Sequence, residues 1–211
     1  MIQSALRVSY TSPKVMHWIT ELLAWLFDDE SELPELSGRA ERIAAEAVAE
    51  GFFEKALEEM GAYDLQEYKS EDYAFGVGTP HIVFNYLDYL LWKKAKKTHR
   101  DFVFEFRNSV EHWYPQHPSD GSIEPWEGRD VFGNLCIISR SVNSKFSNLS
   151  PESKMKSYKK MVQKGSLKLR IMGDIIEGGS SEKWRQSACA KHEKEMIRLL
   201  CRALQEAVEE E

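Results

Sequence analysis

The spacing of apolar residues changes once along this chain, and that change restricts the fold more than any other feature. In the first hundred residues apolar positions recur at helical intervals. Ser12-Pro13 starts one helix, Ser as cap and Pro at the first helical position. Val15, Met16, Trp18, Ile19, Leu22, Leu23 and Leu26 follow on it. Residues 33–38 break the pattern, and residues 39–60 predict a second helix that Gly61 ends. Gly76-Val77-Gly78 is a turn. Thr79-Pro80 then starts a third helix through Phe84, Leu87, Leu90 and Leu91 to the tract Lys93–Lys97, whose cations suit a helix C-terminus. From Phe102 to Arg107 the period becomes two, which predicts a strand, and residues 135–139 predict a second one. Ser150-Pro151 opens a further helix. Gly178-Gly179-Ser180-Ser181 is a break, and residues 182–211 predict a last helix. The expectation is a mostly helical α+β chain, with a helical region over 1–100 and a strand-containing domain over 101–211.

A chain of 211 residues makes one domain or two small ones. The densest apolar run, residues 15–27, contains His17, Thr20 and Glu21, and is too short and polar to span a bilayer. The N-terminus lacks the basic, apolar and cleavage segments of a secretion signal. Cys136, Cys189 and Cys201 are odd in number and without C-x-x-C spacing. They read as reduced thiols of a cytoplasmic protein and against a structural zinc site. The net charge is −6, but it is segregated. Residues 21–72 carry 16 acidic and 4 basic side chains; residues 139–170 carry 9 basic ones and a single acid, Glu152. Two readings of the basic stretch stand: a local phosphate-binding face, or a solvated helix.

The residues with chemical potential come in a fixed order. Glu111-His112-Trp113-Tyr114-Pro115-Gln116 closes the first predicted strand region, Gly133-Asn134-Leu135 enters the second, and Ser141-Val142-Asn143-Ser144-Lys145 follows it. Asn134 and Asn143 lie 22 and 31 residues beyond His112. Hydrolysis of a phosphodiester needs a base for the attacking water, stabilisation of charge on the phosphorane and the departing 3′-oxygen, and a means of holding the base. Histidine suits the first role, because its unperturbed pKa of about 6.5 lies near neutrality.

This order resembles the His-Me finger (HNH) nucleases, and within them the C-terminal domain of GmrSD-type modification-dependent restriction enzymes, with Pro115, Asn148 and Lys154 also in register. The resemblance covers residues 104–204; Phe84-Asn85-Tyr86-Leu87-Asp88-Tyr89 looks more loosely like the helical region that precedes the nuclease. It implies a ββα-metal nuclease core with additional C-terminal helices. By that pattern His112 is the general base, Asn134 holds the catalytic ring through a backbone or side-chain contact, and Glu111 and Asn143 are metal ligands. Oxygen donors of this kind suit Mg²⁺, or Mn²⁺ in its place. Lys145, Lys154, Lys156, Lys159 and Lys160 would contact DNA phosphates. The implied activity is a DNA endonuclease or nickase in bacterial anti-phage restriction. Recognition would lie with a ParB-like sensor whose D-G-Q-Q-R-like motif this chain lacks. The readings from other classes are a non-catalytic DNA-binding or assembly module on the same fold, and an RNA-cleaving toxin. For Trp113, Tyr114 and Trp126, packing around the hairpin competes with stacking on bases.

Overall fold

The computed structural model describes residues 1–27, 35–61, 68–119, 126–178 and 184–209. Of the expected break at 33–38, residues 33 and 34 lie outside that set, whereas 36–38 already belong to a helix; the break at 178–181 lies outside it from residue 179 on, as does part of the loop between the strands.

Helix α1 (Ile2–Ser9) buries Ile2, Ala5 and Leu6, one stripe of the helical period. Ser12 and Pro13 start only a single 3-10 turn, Pro13–Val15, before α2 (His17–Leu26) begins. The long second helix is two pieces. Helix α3 (Leu36–Phe52) and the short α4 (Leu57–Met60) are separated at Glu54, whose φ of 55° takes the backbone out of the helical region. Gly61 follows α4 as expected. Helix α5 (His81–Lys94) has every residue from Ile82 to Leu91 buried, as befits a helix surrounded on all sides. It packs against α1, α3, and the later helices α8 (Leu167–Glu177) and α9 (Gln186–Glu209).

Residues 102–107 form no strand. Phe102 and Phe104 are buried and Val103 and Glu105 exposed, but the phase slips at exposed Phe106 and buried Arg107. Alternation alone makes no ladder without a neighbour to pair with. The strands are β1 (Ser109–His112) and β2 (Leu135–Ile138), antiparallel, with Glu111 opposite Cys136 and His112 opposite Leu135. Helix α6 (Arg140–Phe146) follows at once. Ser139 caps it, its hydroxyl accepting from Val142 N. Ser150-Pro151 starts α7 (Pro151–Gln163) with the Ser150 hydroxyl accepting from Ser153 N.

The two-stranded sheet lies between two apolar clusters. Val110, Leu135 and Ile137 face the larger one, built from α1, α3, α5 and α9. Cys136 and Ile138 face the smaller one, with Trp113, Phe146, Met155, Leu169 and Trp184. The larger cluster runs from Ile2 to Leu204 and so continues across the boundary expected at residue 100. No helix among the described residues is long and apolar enough to cross a membrane.

Buried polar groups tie these layers together. Asp88, on fully buried α5, accepts from the backbone N–H of Lys168 at 3.0 Å, so it caps α8 from another helix. Burial lifts its carboxyl to about 6, against the pull of that hydrogen bond and of Arg107. Lys168 sends its ammonium to the carbonyls of Phe132, Gly133 and Leu135 at 2.8, 3.3 and 2.5 Å. Burial lowers that lysine to about 8. The first two carbonyls belong to the 3-10 turn Phe132–Asn134 and the third to the first residue of β2, and α9 presses on the same turn. A Cβ at Gly133 would lie 2.6 Å from Glu193 Cβ and 2.7 Å from the Cys189 carbonyl. Gly133→Ala is therefore expected to destabilise the protein by about 1–3 kcal/mol, the usual cost of overpacking. Urea denaturation measures it; a midpoint equal to wild type would mean that α9 can move off the turn freely.

Candidate active site

His112 ends β1, and Gln116 nearby with three groups more distant in the chain, Asp130, Asn134 and Lys154, holds its surroundings. Its Nε2 lies 2.7 Å from Asp130 Oδ1, with Gln116 Nε2 donating to the same oxygen at 3.3 Å. Partial burial works to raise the Asp130 carboxyl, but hydrogen bonds from His112 and Gln116, with the charges of His112 and Arg129, outweigh it and hold it below the ordinary carboxylate range. Gln116 closes the Glu111–Gln116 motif of the sequence without a role assigned to it, and Asp130 was not singled out there. A loop aspartate has no periodicity to mark it, and only its closeness to His112 in space reveals it.

Asn134 is fully buried and uses its whole amide. Its Oδ1 accepts from Tyr114 N at 2.8 Å and Trp184 Nε1 at 3.1 Å, and its Nδ2 donates to the carbonyls of Tyr114 and Arg129 at 3.0 and 2.9 Å. Its own carbonyl accepts from Trp113 N. Asn134 thus holds the backbone just beyond His112; the ring itself is held by Asp130.

Lys154 departs furthest from expectation. It is fully buried, so in this arrangement it reaches no DNA phosphate. Its Nζ donates to Glu111 Oε1 at 2.8 Å and to the carbonyls of His112 and Trp113 at 2.7 and 3.0 Å. Burial pulls the lysine below its ordinary value, and the Glu111 carboxylate opposes that. Removing an ammonium from water is costly, and here the Glu111 carboxylate with two backbone carbonyls offsets that cost. Lys156 and Lys160, two and six residues on, are exposed on α7. Lys159 is exposed as well but pairs with Glu177 at 2.5 Å, and Lys145 is exposed on α6.

This pairing bears on a metal. Neighbours in a strand point to opposite faces. Glu111 shares the face of Cys136, towards Lys154, whereas His112 shares the face of Leu135 and turns to Asp130. With its charge matched by a buried ammonium, the Glu111 carboxylate does not fit a divalent cation. Asn143 is half-buried on α6, the helix that packs on β1. Among the described residues no group of three or more His, Cys, Asp and Glu is arranged so that it could hold a metal ion. Trp113 is fully buried and Trp126 nearly so, edge to face with Tyr114 at 5.3 Å, so both indoles serve packing. His117 is exposed.

If Glu111 serves Lys154, Glu111→Gln should lower stability by about 3 kcal/mol, the lower end for a buried pair that loses one partner, since two carbonyls still accept from the ammonium. The Mg²⁺ concentration that half-saturates any nuclease activity should stay the same. Unchanged stability with a raised Mg²⁺ requirement would place the carboxylate on a metal instead.

The family model described as GmrSD restriction endonucleases, C-terminal domain, matches residues 66–199. In the comparisons with curated proteins and with solved structures, nothing matches.

Proposed function

The chain belongs to the GmrSD restriction endonuclease C-terminal domain family, which gives it a nuclease role in restriction, and from there we propose that it hydrolyses DNA phosphodiester bonds with His112 as general base. The observation that carries this reading is the fixed imidazole. One ring nitrogen is bonded to Asp130, and the backbone on its C-terminal side is pinned by Lys154 and Asn134. A water on the other ring nitrogen would lose a proton to it as its oxygen attacks phosphorus and the bond to the 3′-oxygen breaks. Held rigidly, such a base needs little reorganisation when the proton moves.

Mg²⁺, or Mn²⁺ in its place, belongs to this proposal because the phosphorane and leaving oxygen develop charge. Glu111, paired as it is with Lys154, does not fit the ion. The basic face of the proposal is Lys145, Lys156 and Lys160, with Lys159 weakened by Glu177. Selection of modified DNA is left to a separate ParB-like sensor, and the biological setting to anti-phage defence in the cytoplasm.

One observation favours the second reading, a DNA-binding module without activity. The His112 side chain is only 7% exposed, and Glu111 is already neutralised. Supercoiled plasmid, with Mg²⁺ and with chelator, separates the two. Wild type should relax or linearise it only with the metal, and His112→Ala should cut about 10²–10⁴-fold more slowly at unchanged DNA affinity. Binding without cleavage under every metal tried would establish the inactive module, and near-normal cutting by His112→Ala would remove His112 as the base.

The lysines admit a separate test. Each phosphate contact adds about 0.9 to the slope of log affinity against log salt on duplex DNA. Lys156→Gln with Lys160→Gln should flatten that slope by roughly 1–2 units for any sequence, since phosphate contacts carry no base information. An identical slope would make α7 a solvated helix face.

A further inference from the structure

We infer that Asp130 is the positioning residue for the His112 ring, and that the turn Gly76–Gly78, from the helical half of the chain, sets Asp130 in place. The inference rests on the reading of His112 as the base and specifies how that base is made ready.

Neutral imidazole carries its proton on either nitrogen, and only the bare nitrogen can act as a base. A carboxylate oxygen 2.7 Å from Nε2 can only accept, so Nε2 must carry the hydrogen and Nδ1 the lone pair. The same carboxylate then stabilises the imidazolium that forms when Nδ1 takes a proton, the logic of an acid–histidine pair in other hydrolases. Among the described contacts of the ring no other carboxylate competes for this role. Glu111, next in sequence, lies on the other face of β1 with Lys154.

Asp130 sits in a loop, and a loop carboxylate positions nothing unless it is itself held. Its carbonyl accepts from Gly76 N at 3.1 Å. Gly76 has a φ of +54°, a conformation that side chains disfavour, and a Cβ there would stand 3.2 Å from Asp130 Oδ1 and 3.3 Å from Cγ. The glycine thus serves two ends at once, the turn and the room for the carboxylate. The turn is braced in its own right, with Thr79 Oγ1 donating to Gly76 O at 2.9 Å and Gly78 N donating to Phe75 O at 3.0 Å. Gln116 Nε2 holds the carboxylate from a third side. The base is in this way set by a chain of contacts that begins outside residues 101–211, and the family match, beginning at residue 66, includes that turn.

The test uses the full chain and two readouts. In wild type the His112 Nε2–H should give a downfield, exchange-protected proton signal, assigned by its loss in His112→Ala. Asp130→Ala should abolish that signal and lower kcat on plasmid DNA by about 10²-fold, less than the roughly 10⁴ of a buried triad aspartate because Asp130 is half exposed and water can partly replace it. DNA affinity and KM should not change. Gly76→Ala should move both readouts in the same direction, and the double variant should lose less than the two single losses combined, since the part of the glycine's effect that passes through the Asp130 carboxylate is already gone. An undiminished kcat or an undisturbed Nε2–H signal in Asp130→Ala overturns the inference, as does a fully additive double variant. Failure of the base assignment looks different: His112→Ala then cuts like wild type, while the Nε2–H signal still reports whether Asp130 holds the ring.

Discussion

The amide of Asn134 is the interaction on which this structure most depends. Every donor and acceptor of the side chain is engaged, to Tyr114 twice, to Arg129 and to Trp184. Three segments distant in sequence meet there: the chain leaving β1, the loop entering β2, and the approach to α9. A buried amide with all of its hydrogen-bonding capacity satisfied is stable in its place, and any one missing partner would leave a desolvated group unpaired. The ends of the two strands are therefore held in one geometry. The strands themselves are four residues each and would be marginal alone.

Two buried lysines complete what Asn134 begins. Lys168 gathers the carbonyls of the turn before β2, and Lys154 gathers those at the end of β1. Each acts as an internal cation for backbone oxygens that the short ladder leaves unpaired. Their differing surroundings follow from charge. Lys154 meets Glu111 directly, while Lys168 has, among the described residues, only carbonyls and a sulfur within hydrogen-bond reach, and burial lowers it to about 8. Removal of a charged group from water is costly, so such lysines persist only where their acceptors are already arranged. That places them in the framework of the site and leaves the exposed lysines of α6 and α7 as the candidates for a nucleic-acid surface.

The site is composite. The imidazole comes from β1, its carboxylate from the loop before β2, and the glycine behind the carboxylate from a turn preceding α5. The packing agrees, because the larger apolar cluster draws on residues from Ile2 to Leu204 and α5 lies at its centre. A division of the chain at residue 100 would cut through this core.

Much was legible in the sequence because it rests on local rules. Helical spacing with the start signals Thr79-Pro80 and Ser150-Pro151 located α5 and α7, and the order Glu-His, Gly-Asn-Leu, Asn-Ser pointed to the family and to the turn that Gly133 and Asn134 build. Periodicity reports what one segment can do by itself. It misled at residues 102–107, where alternation had no partner strand, and at residue 54, where one left-handed residue divides a helix. The opposite facing of Glu111 and His112 was implicit in strand geometry, but what each face meets was not. Only the tertiary structure decided that Lys154 is buried while Lys156 and Lys160 are exposed, and that Asp130 holds the His112 ring. Both outcomes depend on groups 18 to 43 residues away in sequence, and no local pattern encodes which carboxylate a lysine or an imidazole will meet once the chain has closed.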